Sequence, residues 1–404
     1  MEYIRQQSKI LKERILEQRK FIQVVAGPRQ VGKSTLVLQV LKQLSISYSY
    51  ETADAVDAND TDWIHRVWEA ARTTMMLQGV QEYLLVVDEV QKIENWSEAV
   101  KREWDSDTRN TVNLKLVLLG SSRLLLRKGL TESLAGRYEL IRMPHWSYSE
   151  MRDAFGFSLD EYIYYGGYPG SAHLIHDERR WRKYIKDSLV KPAIQKDVIM
   201  TSNIYKPALM EQLFELGCSY SAEILSLTKL MGQLQDAGNV TTLASYLKIL
   251  DECALITALY KYANDEARKR SSTPKYQVYN NALLTAYKGR GYSVDRTDTK
   301  VWGRWVESAV GTHLLNMADE LDYDVYYWRE PSRSKTDADK EVDFIISCGG
   351  ELTAIEIKSG RRGMNSGLPA FASAFHPKRS LVVGTGGVSL EVFLGCDLRK
   401  LLEI

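Results

Sequence analysis

The chain has 404 residues, too many for one ordinary hydrophobic core, so its length points to two or three domains. Hydrophobic residues make up 44% and charged residues 26%, as in a soluble globular protein, and a net charge of +1 excludes a global field that would force a nucleic-acid or membrane partner. Cys218, Cys253, Cys348 and Cys396 form no C-x-x-C pair, which predicts reduced thiols in a cytoplasmic protein.

The charged stretch from Glu2 to Lys20 is helix-like and lacks the apolar core of a signal peptide. No apolar run approaches the ~18 residues a membrane span needs. From Phe21 onward the chain alternates strand and helix. Apolar runs at Phe21–Ala26, Ile46–Tyr50, Tyr83–Val87, Leu114–Leu119 and Tyr138–Met143 read as strands. Helical spacing covers Ser34–Leu44, Asp62–Gln78 and Trp96–Trp104. This pattern predicts an α/β domain with a parallel sheet covered on both faces, its ligand at the strand C-termini.

Gly27, Pro28, Arg29, Gln30, Val31, Gly32, Lys33 and Ser34 fit G-x-x-x-x-G-K-[ST], with Thr35 following. The glycines let backbone N–H groups turn toward phosphate oxygens. Lys33 then brings a point charge to the β- and γ-phosphates, while Ser34 offers a hydroxyl to Mg²⁺ and opens a helix. The run Leu84–Val87 ends in Asp88 and Glu89, which predicts a metal-holding Asp88 and a water-polarising Glu89. The next strand ends in Gly120, Ser121 and Ser122. Those hydroxyls suit either a γ-phosphate sensor or a serine-rich turn. Arg137 is a candidate for the charge that develops in a transition state, against a plain surface arginine.

Helices dominate from about Glu161 to Leu259. Ser221 to Tyr260 reads as helix, turn, helix and strand, with Ile224, Leu225, Leu227 and Leu230 on one helical face. That layout suits a winged helix-turn-helix, docking either DNA or protein. Thr241, Thr242, Ser245 and Lys248 would face a nucleic acid, but the acidic excess of Glu211–Glu252 opposes tight phosphate contact. Lys261–Arg304 carries ten Lys/Arg against four Asp/Glu, interspersed with Tyr276, Tyr279, Tyr287 and Tyr292. This is either a phosphate-tracking surface with stacking platforms or a solvated region around core tyrosines. Beyond it the reading is α+β. Glu307 falls on a helix, Asp343 on a strand, and Glu356 and Lys358 on one face of the next strand. A hairpin can bring Asp343 beside Glu356; alone such a strand is a solvated face, but the order Glu307, Asp343, Glu356 and Lys358 resembles the PD-(D/E)xK nuclease core, which implies Mg²⁺ or Mn²⁺ at Asp343 and Glu356 with Lys358 and Glu307 supporting catalysis.

Taken together, several segments resemble the bacterial and archaeal AAA-type ATPases that carry a DUF4143 C-terminal region. They are residues 27–35, 86–92, 120–122, 134–137, 147–150 and 165–169. The resemblance implies an AAA+-like sheet, a middle winged-helix region and a PD-(D/E)xK nuclease-like, α+β restriction-endonuclease-like end. It divides the chain into a P-loop ATPase domain (1–160), a helical lid and winged-helix-like domain (161–265) and a nuclease-like domain (266–404). It implies ATP as the nucleotide, in keeping with the lack of a guanine-reading N-K-x-D, together with Mg²⁺, DNA or protein partners and homo-oligomers. Leu119 departs from the family, which usually has Thr before Gly-Ser, and this leaves Ser121 as the remaining sensor. Two functions compete. One is an ATPase coupled to a metal-dependent nuclease; the other is a nucleotide-controlled switch, binding DNA or protein, with an inactive nuclease-like end.

Overall fold

The computed structural model describes residues 3–120, 130, 133–199, 204–236, 238–265, 269, 272–332, 339–360 and 367–403. The chain divides into two compact units, residues 1–144 and 145–404.

The first unit runs α1 (Gln7–Leu16), β1 (Ile22–Ala26), α2 (Lys33–Leu41), β2 (Ser47–Thr52), α3 (Trp63–Gln78), β3 (Tyr83–Asp88), α4 (Trp96–Arg109), β4 (Leu114–Gly120) and β5 (Tyr138–Arg142). The five strands form one parallel sheet in the order β2-β3-β4-β1-β5. β1, β3 and β4 are buried along their length and mostly apolar because both faces are covered. Alternate residues feed two separate cores. Val24, Leu85, Val87, Leu116 and Leu118 pack with Trp68 of α3 and Trp104 of α4. Val25, Leu84, Val86, Val117 and Leu119 pack with Leu11 of α1 and Leu36, Val37 and Val40 of α2. Since all the strands run one way, the loops after β1, β3 and β4 open on the same edge, as expected from the sequence.

The second unit begins with α5 (Tyr148–Phe155), α6 (Leu159–Tyr165) and α7 (Glu178–Lys183), the last continuing into π-helical turns. Ser147 caps α5 by accepting from Glu150 N, while the Glu150 carboxylate accepts from Ser147 N at 2.9 Å. The Ser-Tyr-Ser-Glu segment therefore fixes a helix start. Then come α8 (Pro207–Ser219), α9 (Leu227–Met231), α10 (Val240–Glu252), and strands β6 (Ile256–Leu259) and β7 (Lys275–Val278), paired antiparallel. Ile224 and Leu225 do not lie on a helical face, contrary to the sequence reading. Ser226 is the N-cap of α9, its hydroxyl accepting from Lys229 N, so the helix starts only after it. Ile224 instead bridges Lys275 antiparallel, alongside the hairpin.

The chain ends with α11 (Asn281–Lys288), α12 (Tyr292–Thr297), α13 (Thr299–Leu321), β8 (Asp324–Glu330), β9 (Lys340–Cys348), β10 (Glu351–Lys358), α14 (Gly367–Phe375), β11 (Arg379–Gly384), α15 (Leu390–Gly395) and α16 (Leu398–Leu402). Strand order is β11-β10-β9-β8, antiparallel except for the parallel β10–β11 pair. One core of this region gathers Trp328, Val342, Ile345, Ala354 and Phe371. No helix among the described residues is long and apolar enough to cross a membrane.

Candidate functional site

The loop between β1 and α2 is wound tightly by its backbone. Gly32 has φ 89°, which favours glycine, and Gln30 also adopts positive φ at 63°. A side chain at Gly27 would drive into the Met143 carbonyl, so glycine is what lets the loop leave β1 beside the end of β5. Lys33 is buried and folds over its own loop, donating to the carbonyls of Gly27 (3.0 Å) and Pro28 (2.8 Å). Val31 is buried, Pro28 lies within the loop, and Thr35 is exposed as the third residue of α2.

Asp88 at the end of β3 meets this loop. Its Oδ2 accepts from Ser34 Oγ at 2.7 Å and from Tyr50 Oη at 2.5 Å, and its Oδ1 from Glu89 N at 2.8 Å. Tyr50, from β2, has its phenol pKa raised by burial and by Asp88. Glu89 is held in the left-handed region at φ 53°, strain of the kind that concentrates at functional sites. Gln91 Nε2 donates to Glu89 Oε2 at 2.5 Å and fixes that carboxylate. A hydroxyl and a carboxylate 2.7 Å apart at the mouth of an anion-binding loop fit a hard dication such as Mg²⁺.

Two residues that sequence reasoning missed support this loop. Tyr50 is one, hidden within a strand pattern. The other is Arg5, ahead of α1. It is 4% exposed and donates through Nη1 to the Val31 carbonyl at 3.2 Å and the Pro144 carbonyl at 3.1 Å. No local signal marks either, because both act over long sequence separations.

Arg137 does not belong to its own chain's phosphate site. It precedes β5, where Tyr138 pairs with Ile22 at the start of β1, on the edge opposite the loop after Ala26. There it makes a bidentate pair with Asp105, at 2.8 and 3.0 Å, which raises its pKa. Ser121 lies outside the described residues.

In the second unit Asp343 and Glu356 do converge. Ile355 pairs with Phe344, leaving Asp343 and Glu356 side by side just beyond, and Asp343 Oδ2 accepts from Ile357 N at 2.7 Å. Lys358 stands two residues on from Glu356, on the same face of β10. Glu307 of α13 joins them through a residue that the sequence reading placed on a basic surface. Lys275 of β7 is wholly buried, and its Nζ pairs with Glu307, Glu341 (3.8 Å) and Asp343 (3.9 Å), and donates to the Asp343 carbonyl at 3.2 Å. Burial opposes the ammonium charge, but Glu307, Asp343 and Glu341 outweigh it and raise the Lys275 pKa. Burial pushes Glu307 up to about 7 despite Lys275, and raises Asp343 in the same way, helped by Glu356.

Of the two readings of Lys261–Arg304, three arginines and the four tyrosines follow the second, being engaged inside the unit. Arg290 pairs with Asp295 (2.7 Å) and Asp298 (2.9 Å), Arg296 with Asp160 (2.7 Å), and Arg304 with Glu223 and the Ser221 carbonyl. Tyr276 is buried, Tyr292 stacks on Tyr165, Tyr287 meets Phe214 edge-on, and Tyr279 donates to Asp251. These charges and rings hold the unit together.

The parallel sheet of the first unit, with its phosphate loop after one strand and an acidic pair after another, defines a P-loop domain of the AAA type. Residues 19–152 match the family described as an AAA domain, residues 156–293 a domain of unknown function (DUF8612), and residues 302–395 a domain of unknown function (DUF4143). The chain thus carries an AAA domain followed by a DUF4143 domain. It is 21% identical over 354 residues to an uncharacterized protein of Haemophilus influenzae, covering 83% of this chain and 82% of the relative. It is 22% identical over 267 residues to an uncharacterized protein of Methanocaldococcus jannaschii, covering 60% and 57%. Among solved structures it is similar to a Walker-type ATPase of Pyrococcus abyssi (14% identity, 70% of this chain and 94% of that one, TM-score 0.44). It is also similar to AMPPCP-bound DnaA from Aquifex aeolicus (14% identity, 62% and 90%, TM-score 0.32).

Proposed function

We propose that this chain binds and hydrolyses ATP with Mg²⁺ in its first unit and uses the nucleotide cycle to control a DNA- or protein-binding second unit. The observation that carries this is the meeting of Ser34 and Asp88 at 2.7 Å, with Lys33 behind them and Glu89 next in the chain. Gly27 to Thr35 would wrap the phosphates through backbone N–H groups, with Arg29 and Gln30 on the loop's outer side. Lys33 would leave its loop carbonyls for the β- and γ-phosphates. Ser34 and Asp88 would hold Mg²⁺, which neutralises charge on the phosphates. Glu89, set by Gln91, would take the proton of the attacking water. Ser121 keeps its proposed sensor role, and Arg137 acts only on a neighbouring copy's site. The test is Mg²⁺-dependent phosphate release with ATP affinity measured alongside. Lys33→Ala should lose binding. Glu89→Gln should keep binding and lose roughly 10²- to 10⁴-fold in turnover. Near-normal turnover of Glu89→Gln would sink the assigned base.

The division into residues 1–160, 161–265 and 266–404 is retained as a proposal. The order α8, bridged Ile224, α9, α10 and the β6–β7 hairpin supports a winged-helix reading of the middle region, with Thr241, Ser245 and Lys248 exposed on α10. A second reading, a nuclease-like C-terminal site, is favoured by the convergence of Asp343 with Glu356 on neighbouring strands. Cleavage of linear and circular DNA with Mn²⁺, with and without ATP, separates the two readings.

A further inference from the structure

We infer that the Lys275 ammonium is the resident counter-cation of Glu307, Glu341 and Asp343, lying so close to Asp343 that a divalent ion shared by Asp343 and Glu356 would stand against it. This concerns the nuclease-like reading alone; the ATPase reading stands or falls separately.

The donor set looks at first like a metal centre. Carboxylates from α13 (Glu307), β9 (Glu341 and Asp343) and β10 (Glu356) crowd one region, and such a group needs a cation between its members. The cation is already there. Lys275 Nζ contacts Glu307 and lies 3.8 Å from Glu341 and 3.9 Å from Asp343, with the Asp343 carbonyl accepting at 3.2 Å. The ring of Phe344 lies 4.9 Å from the same nitrogen, a further contact suited to a cation. The lysine is wholly buried. Its backbone is tied on both sides, to Leu259 of β6 and to Ile224.

Asp343 is also poorly disposed toward a second cation. Its Oδ2 accepts from Ile357 N at 2.7 Å, and its Oδ1 faces Lys275. A dication bound to Oδ1 would stand within a few ångströms of a buried ammonium, where repulsion is strong. The carboxylates therefore do not fit a resident Mg²⁺ or Mn²⁺ while Lys275 is in place. Their work is mechanical: the cluster pins the β6–β7 hairpin to α13 and β9, so that the hairpin and the C-terminal sheet form one block.

The experiment is Mn²⁺ binding to the full chain without nucleotide, read from the electron paramagnetic resonance of free Mn²⁺. Native protein and Asp343→Asn should give the same titration, since native protein has no Mn²⁺ site that depends on Asp343. Lys275→Met should gain one such site, about 10-fold or more tighter than anything native protein shows, and Lys275→Met with Asp343→Asn should lose it. A native site that disappears in Asp343→Asn overturns the inference, whatever the lysine variants do. So does a folded Lys275→Met, checked by circular dichroism, that takes up no Mn²⁺ even at a pH well above the raised range of Glu307 and Asp343, where the vacated cluster cannot be neutralised by protons. If Lys275→Met does not fold, the comparison of native protein with Asp343→Asn still decides.

Discussion

Replacing Tyr50 with Phe tests whether Asp88 is held for metal or merely packed. The phenol donates to Asp88 Oδ2 at 2.5 Å, on the same oxygen that accepts from Ser34 at 2.7 Å. When Mg²⁺ draws the Ser34 hydroxyl onto itself, Tyr50 is left as the side-chain donor holding that oxygen. A hydrogen bond to a charged acceptor contributes roughly 1.5–3 kcal/mol, and the half-buried position of Tyr50 argues for the lower end. Part of that loss falls on the metal-free protein too, so the difference between the states is smaller than the whole. A shift of about 1.4 kcal/mol would be tenfold in a binding constant, which sets the upper expectation for Tyr50→Phe. The Mg²⁺ concentration giving half-maximal ATP hydrolysis should rise several-fold, with the saturated rate changing less. The assay is phosphate release across a Mg²⁺ series at saturating ATP, alongside thermal unfolding. A lower melting temperature with an unchanged Mg²⁺ dependence would refute the reasoning and leave Tyr50 as a packing residue.

Other consequences are as specific. Arg137 lies on the sheet edge away from its own phosphate loop, so Arg137→Ala should lose about 10³-fold in turnover, in the range for an arginine acting on the transition state. Mixing it with Lys33→Ala should restore activity, because each supplies what the other lacks; failure to restore it removes the role in a neighbouring site. Arg5→Met removes the hydrogen bonds to the carbonyls of Val31 and Pro144, and should lower the melting temperature and weaken binding of a non-hydrolysable ATP analogue. Equal analogue affinity in the two proteins would confine Arg5 to stability. Glu307, held up to about 7 against an ordinary 4.5, binds its proton more tightly folded than unfolded. Its contribution is full below about pH 4.5 and is lost as pH rises through 7. Denaturant unfolding should show native stability falling over that window and Glu307→Gln flattening the fall.

The first unit was legible because its signals are local. β1, β3 and β4 are mostly apolar runs, and the residues that end them carry the chemistry in the same stretch of chain, so Gly27 to Thr35 and Asp88–Glu89 could be placed without knowing what lay across the sheet. The carboxylates of the second unit were legible in part for a similar reason, since a two-residue turn after β9 sets the register that brings Asp343 to Glu356. Ile224 and Leu225 were misread because apolar spacing outweighed the cap at Ser226, whose hydrogen bond to Lys229 N decides where α9 begins.

What stayed hidden is charge. Lys275 and Arg290 look alike in a count of basic residues, yet one is sealed among carboxylates from α13 and β9 and the other lies half in solvent beside Asp295 and Asp298. The Lys275 contacts join residues 32 to 68 positions apart, beyond any periodic signal. A charge near the surface costs little wherever it falls, so its position in the sequence predicts little. A charge in the interior has to be matched by others, and the fold alone decides which ones. The number of carboxylates around the C-terminal cluster therefore says less about a metal than the identity of the cation already among them.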